Sequence, residues 1–269
     1  MSLGFRQLFP RGRSVVIGMI HLRALPGTPR NRKSIGEISE IACKEANMYA
    51  ESGIDGLIIE NMHDIPYLHK YHIGPEVTAS MARVCRDVRS MYPTMPLGVQ
   101  ILAGANKEAL AVAKATELNF IRAEGFVFSH IADEGLMHAC AGELLRYRRT
   151  IEAEHISILT DIKKKHSAHS ITSDVSIEET AHGAEFFLSD GLILTGSATG
   201  QQADVEQLKG VKSKVNLPVL IGSGITKHNV NDYSAADGFI VGSYFKKNGH
   251  WNEELDTDRI KRFMDEVCI

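Results

Sequence analysis

The chain has 269 residues, 43% of them hydrophobic and 23% charged, and carries a formal net charge of −3 at pH 7. That length holds one large α/β core or two modest domains, and since no composition shift or Pro/Ser-rich linker divides it, a single domain at residues 14–269 is expected behind an N-terminal extension of residues 1–13. The slightly acidic balance argues against a nucleic-acid surface, which would need a basic stripe, and no stretch approaches the roughly 18 consecutive apolar residues of a membrane span, so only peripheral membrane association stays open.

Val15–Ile20 is a β-branched run of strand length that ends in His21. Ser34 caps a predicted helix reaching about Ser52, in which Ile38, Ile41, Ala42, Glu45, Ala46 and Tyr49 recur at helical spacing before Gly53 stops it. Ile54–Glu60 reads as a second strand, and the loop after it, 61–74, carries His63, Asp64, His69 and His72. Pro75 opens a helix to about Tyr92, as proline does in a first turn. A strand over Leu97–Leu102, a helix over Asn106–Glu117 and a fourth strand over Phe120–Glu124 follow. A long loop, 125–137, leads to a helix ending near Glu152, and the fifth strand, His155–Asp161, runs into the polar loop KKKHSAHSITSD. A helix over Ser176–Phe187, a strand over Gly191–Leu194 and a helix over Asp204–Lys214 come next. Strands Pro218–Ile221 and Gly238–Val241, with a short helical segment between them, and a last helix over Thr257–Val267 close the chain.

Strand and helix therefore alternate eight times, with strands that are continuously apolar, as in a parallel sheet covered by helices. Eight such units in this length predict a single (β/α)8 TIM barrel. An open doubly wound sheet would want a glycine-rich fingerprint after the first strand, where this chain has His21, Leu22 and Arg23. The segment Gly222-Ser223-Gly224 also lacks the spacing of a nucleotide-triphosphate loop.

In a barrel of this kind the site lies at the carboxyl ends of the strands. The polar residues there are His21, Glu60 with Asn61, Gln100, Arg122 with Glu124, Asp161 with Lys163, Thr195, and the pairs Gly222-Ser223 and Gly242-Ser243. So many ionisable groups at one rim cost desolvation unless a ligand neutralises them. Asp161, His166, Glu60 and His21 are the candidates for acid, base and metal-ligand roles. Arg122, Glu124, Asn61, Lys163, Lys165 and Thr195 are the candidates for substrate contacts, with Arg122 suited to clamping an anion. Glycine turns after strands seven and eight commonly hold phosphate, which makes Gly222, Ser223, Gly224, Gly242 and Ser243 a candidate cradle, with Gly196 as a third edge.

Each group also has a plain structural explanation. His21 could be a satisfied core histidine, Glu60 and Arg122 an ion pair closing the top layer, the three lysines a solvated face, and the Gly-Ser pairs ordinary tight turns. Asp161 and Lys163 fall on one face if the strand continues, so both are expected to point inward. A lysine placed there among cations could form a Schiff base with a carbonyl substrate. His63, His69, His72, His130, His166 and His169 all fall in loops on the predicted active face, so a divalent ion is a candidate cofactor, Mg or Mn on carboxylates ahead of Zn.

The four cysteines, Cys43, Cys85, Cys140 and Cys268, form no C-x-x-C pair and read as reduced thiols of a cytoplasmic compartment. Mitochondrial import is the alternative, because Arg6, Arg11 and Arg13 precede the first acidic residue, Glu37. Only about a dozen residues precede the first strand, however, and a removable presequence of ordinary length would cut into the fold.

Taken together, GMIHLRALPGTP, IENMHDIPY, FIRAEGFVFSHIADEG, LLRYRR, TDIKKKH, LPVLIGSGIT and DGFIVGSYFK resemble the BtpA family over nearly the whole chain. The resemblance implies a phosphate-binding TIM barrel, akin to the ribulose-phosphate-binding barrels, and no established reaction. Family members include a photosystem I biogenesis protein and proteins encoded with sugar-uptake genes. Bacterial members tend to have Asn-Val after the Arg of the fourth strand, where this chain has Ala123-Glu124-Gly125, and D-V-x-V-K-H-A where it has Asp161 to Ser167. Asp161, Lys165 and His166 match that second motif, whereas Lys163 does not. The leading expectation is an enzyme, an isomerase, lyase or hydrolase, acting on a small phosphorylated metabolite such as a sugar phosphate or a nucleotide-derived compound. The alternative is a non-catalytic assembly factor for a membrane-protein complex. A homo-oligomer is expected in either case.

Overall fold

Eight parallel strands close into a barrel: β1 (Val15–His21), β2 (Gly56–Glu60), β3 (Leu97–Gln100), β4 (Phe120–Ala123), β5 (Ser157–Asp161), β6 (Gly191–Leu194), β7 (Val219–Ile221) and β8 (Gly238–Val241). The strands follow one another around the ring in chain order, and Val15–Gly18 of β1 pairs with Gly238–Val241 of β8 to shut it. This computed structural model describes residues 4–10, 14–196 and 201–267. Outside the ring lie α1 (Ile35–Glu51), α2 (Pro75–Met91), α3 (Asn106–Ala115), α4 (Ala141–Thr150), α5 (Ile177–Phe186), α6 (Val205–Lys214) and α7 (Thr257–Val267). The architecture is the (β/α)8 barrel that the alternation predicts.

Helix starts are encoded locally. Ser34 accepts a hydrogen bond from the Glu37 amide while the Glu37 carboxylate accepts one from the Ser34 amide, and Ser176 with Glu179 repeats this box at α5. Between β7 and β8 the helix of the repeat is reduced to one 3₁₀ turn, Val230–Tyr233. Asn229 accounts for this: its side chain accepts from the Thr226 amide and donates to the Gly224 carbonyl, folding the segment into turns before a helix can propagate.

Strand alternation sorts the core into two parts. Ile17, Met19, Ile58, Phe120, Leu159 and Ile240 point into the barrel and are all buried, and Phe9 closes that cluster against Phe120 with ring centroids 6.2 Å apart. Neighbours such as Val16, Ile59, Ile121 and Ile158 point outward and join the helices in a second cluster. Gly98 makes room for the internal ring, since a Cβ there would lie 2.3 Å from Phe120 Cε2.

The same parity fixes the site. Two residues beyond Met19, Ile58, Phe120, Leu159, Leu220 and Ile240 stand His21, Glu60, Arg122, Asp161, Gly222 and Gly242, all facing the carboxyl end of the barrel.

Three further strands lie where the sequence predicts only loop. His130–Ala132 and Gly135–Met137 form a hairpin, and Ser167–Ala168 from the loop after β5 pairs with it to make a three-stranded antiparallel sheet. None of the helices in the described residues is long and apolar enough to cross a membrane.

A charged cavity at the mouth of the barrel

A cavity of about 500 Å³ opens above the polar ring. His21, Glu60, Gln100, Arg122 and Asp161 line its floor, while Glu124, Lys164, Lys165 and His166 from the loops after β4 and β5 make one wall. Trp251, Arg259 and the glycine turns after β7 and β8 make the opposite wall, and Asp133 and Glu134 at the hairpin tip face in from above.

Arg122 and Asp161 form a two-pronged pair on the floor, Nε to Oδ2 at 3.0 Å and Nη2 to Oδ1 at 2.9 Å, with both side chains buried. Burial works against the Arg122 charge, but Asp161 outweighs it and holds the guanidinium protonated. The ion pair on the floor is thus Arg122–Asp161, not the structural Glu60–Arg122 pair weighed from the sequence, because β4 and β5 are adjacent strands with Arg122 level with Leu159.

Glu60 is left to face His21, its Oε2 3.6 Å from His21 Nε2. Burial pushes its carboxyl up to about 7, against the pull of Arg122 and Lys165. Burial, with the nearby Lys246 cation, pushes His21 well below the usual imidazole range. His21 Nδ1 lies 3.2 Å from the Trp251 carbonyl, which only accepts, so Nδ1 carries the proton and Nε2 presents a bare lone pair to Glu60.

Of the two lysines expected to contact a substrate, Lys165 is the one that reaches the mouth. Burial and Arg122 lower it to about 8, and its backbone amide donates to Thr195 Oγ1 at 3.0 Å, fixing the segment. Lys163 does not point inward with Asp161: its Nζ donates to the Thr172 carbonyl and it lines a small separate cavity. The alternation behind that expectation stops where β5 ends at Asp161, and Lys163 already has a left-handed backbone, φ +42°. Lys164 pairs with Glu124 at 3.2 Å, and the other Glu124 oxygen accepts from the Gly104 amide. His166 lines the mouth, lowered by burial and then by Lys165 and Lys164.

Three expected contact residues hold the frame instead of facing the cavity. Asn61 bridges Asp64 and the Leu102 backbone, Thr195 serves the Lys165 amide, and the Gly196 amide donates to Ser223 Oγ at 2.9 Å. The Gly222 amide is likewise spent on the Leu194 carbonyl. Gly222 and Gly242 are required for close approach: a Cβ on Gly222 would meet Ile193 at 2.6 Å and one on Gly242 would meet His21 at 3.0 Å. None of the described hydrogen bonds uses the amides of Ser223, Gly224, Ser243 or Tyr244. These line the corner beside Arg259, whose guanidinium stacks 4.7 Å from the Tyr244 ring centroid and whose buried Nε has no partner among the described residues.

Sequence reasoning misses Arg259, Trp251 and the Asp133-Glu134 tip. The first two come from the segment after β8, where no periodicity marks a mouth residue. The hairpin does have a signal, the turn Asp133-Glu134-Gly135 between short apolar runs. Gln100, level with Glu60 on the next strand, is buried, and its Oε1 has no partner among the described residues. The loop histidines disperse: His63 packs on Trp251, His69 on Tyr71, and His130 on His169. Among the described residues no group of three His, Cys, Asp or Glu side chains is placed to hold a metal ion.

A family model described as the BtpA family matches residues 13–268. An uncharacterised mitochondrial protein of Caenorhabditis elegans is 52% identical over 265 residues, covering 97% of this chain and 95% of that one. The photosystem I biogenesis protein of Synechocystis is 34% identical over 255 residues, covering 94% and 88%. Among solved structures, geranylgeranylglyceryl phosphate synthase of Thermoplasma acidophilum in complex with its substrate sn-glycerol-1-phosphate aligns with a TM-score of 0.60 at 13% identity, covering 99% and 98%. Phosphoribosylanthranilate isomerase of Thermotoga maritima aligns at 0.57 and 15%, covering 95% and 98%.

Proposed function

The chain belongs to the BtpA family, and on that footing we propose that it is an enzyme acting on a small phosphorylated metabolite by acid–base chemistry next to a carbonyl. The observation that carries this reading is one cavity holding Glu60 at about 7 and Lys165 at about 8, both within reach of neutral pH, beside a corner of backbone amides. A carboxylate and an ammonium are both populated between those values, which suits Glu60 as base and Lys165 as acid. Glu60 would take a proton from the carbon beside the carbonyl, and the Lys165 ammonium would give one to the developing oxyanion. Arg122, kept charged by Asp161, would stabilise that charge. Return of the proton to the neighbouring carbon completes an isomerisation, and loss of a leaving group there completes an elimination. Asp161 acts in this scheme as a positioning residue.

For the phosphate we assign the amides of Ser223, Gly224, Ser243 and Tyr244, with Arg259 as the cation. The substrate of the Thermoplasma synthase, sn-glycerol-1-phosphate, supports the class of compound. For the compartment we favour mitochondria, on the name of the worm relative.

The test is proton exchange. Phosphorylated aldoses and ketoses incubated with the protein in D2O should lose the NMR signal of the proton beside the carbonyl, and Glu60→Gln should abolish the exchange while still binding. Absence of exchange across the panel, with no thermal shift from any member, would sink the reading.

A second reading, an assembly factor, draws on the Synechocystis relative's name and on the exposed Phe186, Phe187 and Leu188 at the end of α5. Full rescue of a null strain by a folded Glu60→Gln protein would favour it over catalysis.

A further inference from the structure

A basic cleft lies beside the mouth, on the other side of Trp251. It has a volume of about 170 Å³ and is lined by Arg23, Arg30, Arg32, Lys33, His63 and Trp251 together with Ala24 and Ile65, with no carboxylate among them. None of those four cations takes part in a described ion pair. Arg23 Nη1 contacts His63 Nε2 at 3.5 Å and the Asn252 carbonyl at 3.4 Å, and Arg32 Nη1 donates to the Pro29 and Asn31 carbonyls.

A run of cations in a mobile loop would be an ordinary solvated face. This loop is pinned. Asn31 Nδ2 donates to the Ala24 and Lys33 carbonyls at 2.7 and 2.9 Å, and the Leu25 amide donates to Asp64 at 2.7 Å. Asp64 is buried, with its oxygens turned to the Leu25 amide and Asn61, and it does not line the cleft. The back wall is aromatic, with the His63 and Trp251 rings edge to face at 4.8 Å. Burial and then Arg23, Lys246 and Arg30 press His63 down to about 4, so it stays neutral and adds no repulsion of its own. A concave group of cations with no carboxylate in its lining attracts an anion, and guanidinium forks match phosphate oxygens in pairs.

We propose that the cleft bounded by Arg23, Arg30, Arg32, Lys33 and Trp251 is a second anion site that takes a phosphate group, separate from the glycine corner of the mouth. Two sources can supply that phosphate, the far end of a mouth ligand that passes Trp251 or a separate phosphorylated molecule; the chemistry of recognition is the same.

Trp251 is the chain's single tryptophan and lines both the cleft and the mouth, so its fluorescence reports on binding at either, and the variants tell the two apart. Inorganic pyrophosphate, titrated at constant ionic strength, should give a saturable change. The exposed-residue double variant Arg30→Ala/Lys33→Ala should weaken it by about tenfold or more, while Arg259→Ala, which strips the mouth corner, should leave that phase in place. Equilibrium dialysis separates the sources. Two pyrophosphates per chain falling to one in the double variant indicate a separate anion. A bisphosphorylated sugar binding tighter than its monophosphate, with the advantage lost in the double variant, indicates the far end of a mouth ligand. A change that merely follows ionic strength, or one abolished by Arg259→Ala and untouched by the double variant, overturns the proposal.

Discussion

His21 Nε2 and Glu60 Oε2 face each other across 3.6 Å with the imidazole proton held on the far side by the Trp251 carbonyl. A bare nitrogen and an ionised carboxylate would both be electron-rich, so the buried pair is relieved when Glu60 carries the proton, in keeping with its rise to about 7.

That rise ties stability to pH. A carboxyl whose folded value lies above its ordinary 4.5 contributes stability that is present in acid and lost as pH climbs from 4.5 through about 7. Glu60→Gln should therefore gain on the parent protein across that window, by on the order of 2–3 kcal/mol at its top. Urea unfolding at pH 5 and pH 8 measures the difference, and a constant gap would contradict it. Lys165 works in the opposite sense: with its folded value lowered to about 8, the cost of its charge is present at neutral pH and relieved as pH rises from 8 toward 10.5.

The activity profile follows from the same pair. With Glu60 as base and Lys165 as acid, kcat/KM for any substrate found by proton exchange should be bell-shaped, with limbs near 7 and 8. Lys165→Met should lower the rate by about a hundredfold or more and erase the alkaline limb. An unshifted alkaline limb in that variant would assign the acid elsewhere.

Removing one half of the floor pair should be costly. Asp161→Asn leaves the Arg122 guanidinium buried without its counter-charge, and a loss of about 3–5 kcal/mol is expected. Chemical denaturation checks this, and a loss below about 1 kcal/mol would mean that the pair is solvated.

Inside the barrel, Gly98→Ala drives a methyl against the Phe120 ring. We expect a loss of about 1–3 kcal/mol or more. Pairing it with Phe120→Leu should return part of that loss in a double-mutant cycle.

The barrel is legible in the sequence because its signal repeats: apolar runs such as Val15–Ile20 end in a polar residue at one parity, and that parity sets His21, Glu60, Arg122 and Asp161 at one rim. Lys163 departs from its expected place because alternation holds only while the chain is extended, and the strand stops two residues earlier. Gly196 looks like a cradle residue because sequence does not show where an amide is already spent, here on Ser223. Arg259 is invisible for a third reason: on α7 it sits among ordinary surface charges, and only the fold brings it to Tyr244 and the mouth.

The hairpin over the mouth is bonded, through Ile131 with Ala168 and Ala132 with Ser167, to the same loop that carries Lys165 and His166. The two loops consequently form one mechanical piece. On the proposed scheme, a displacement of the Asp133-Glu134 tip that widens the entrance would also pull on Lys165, so admission of a ligand and readiness for proton transfer would be coupled through these backbone pairings.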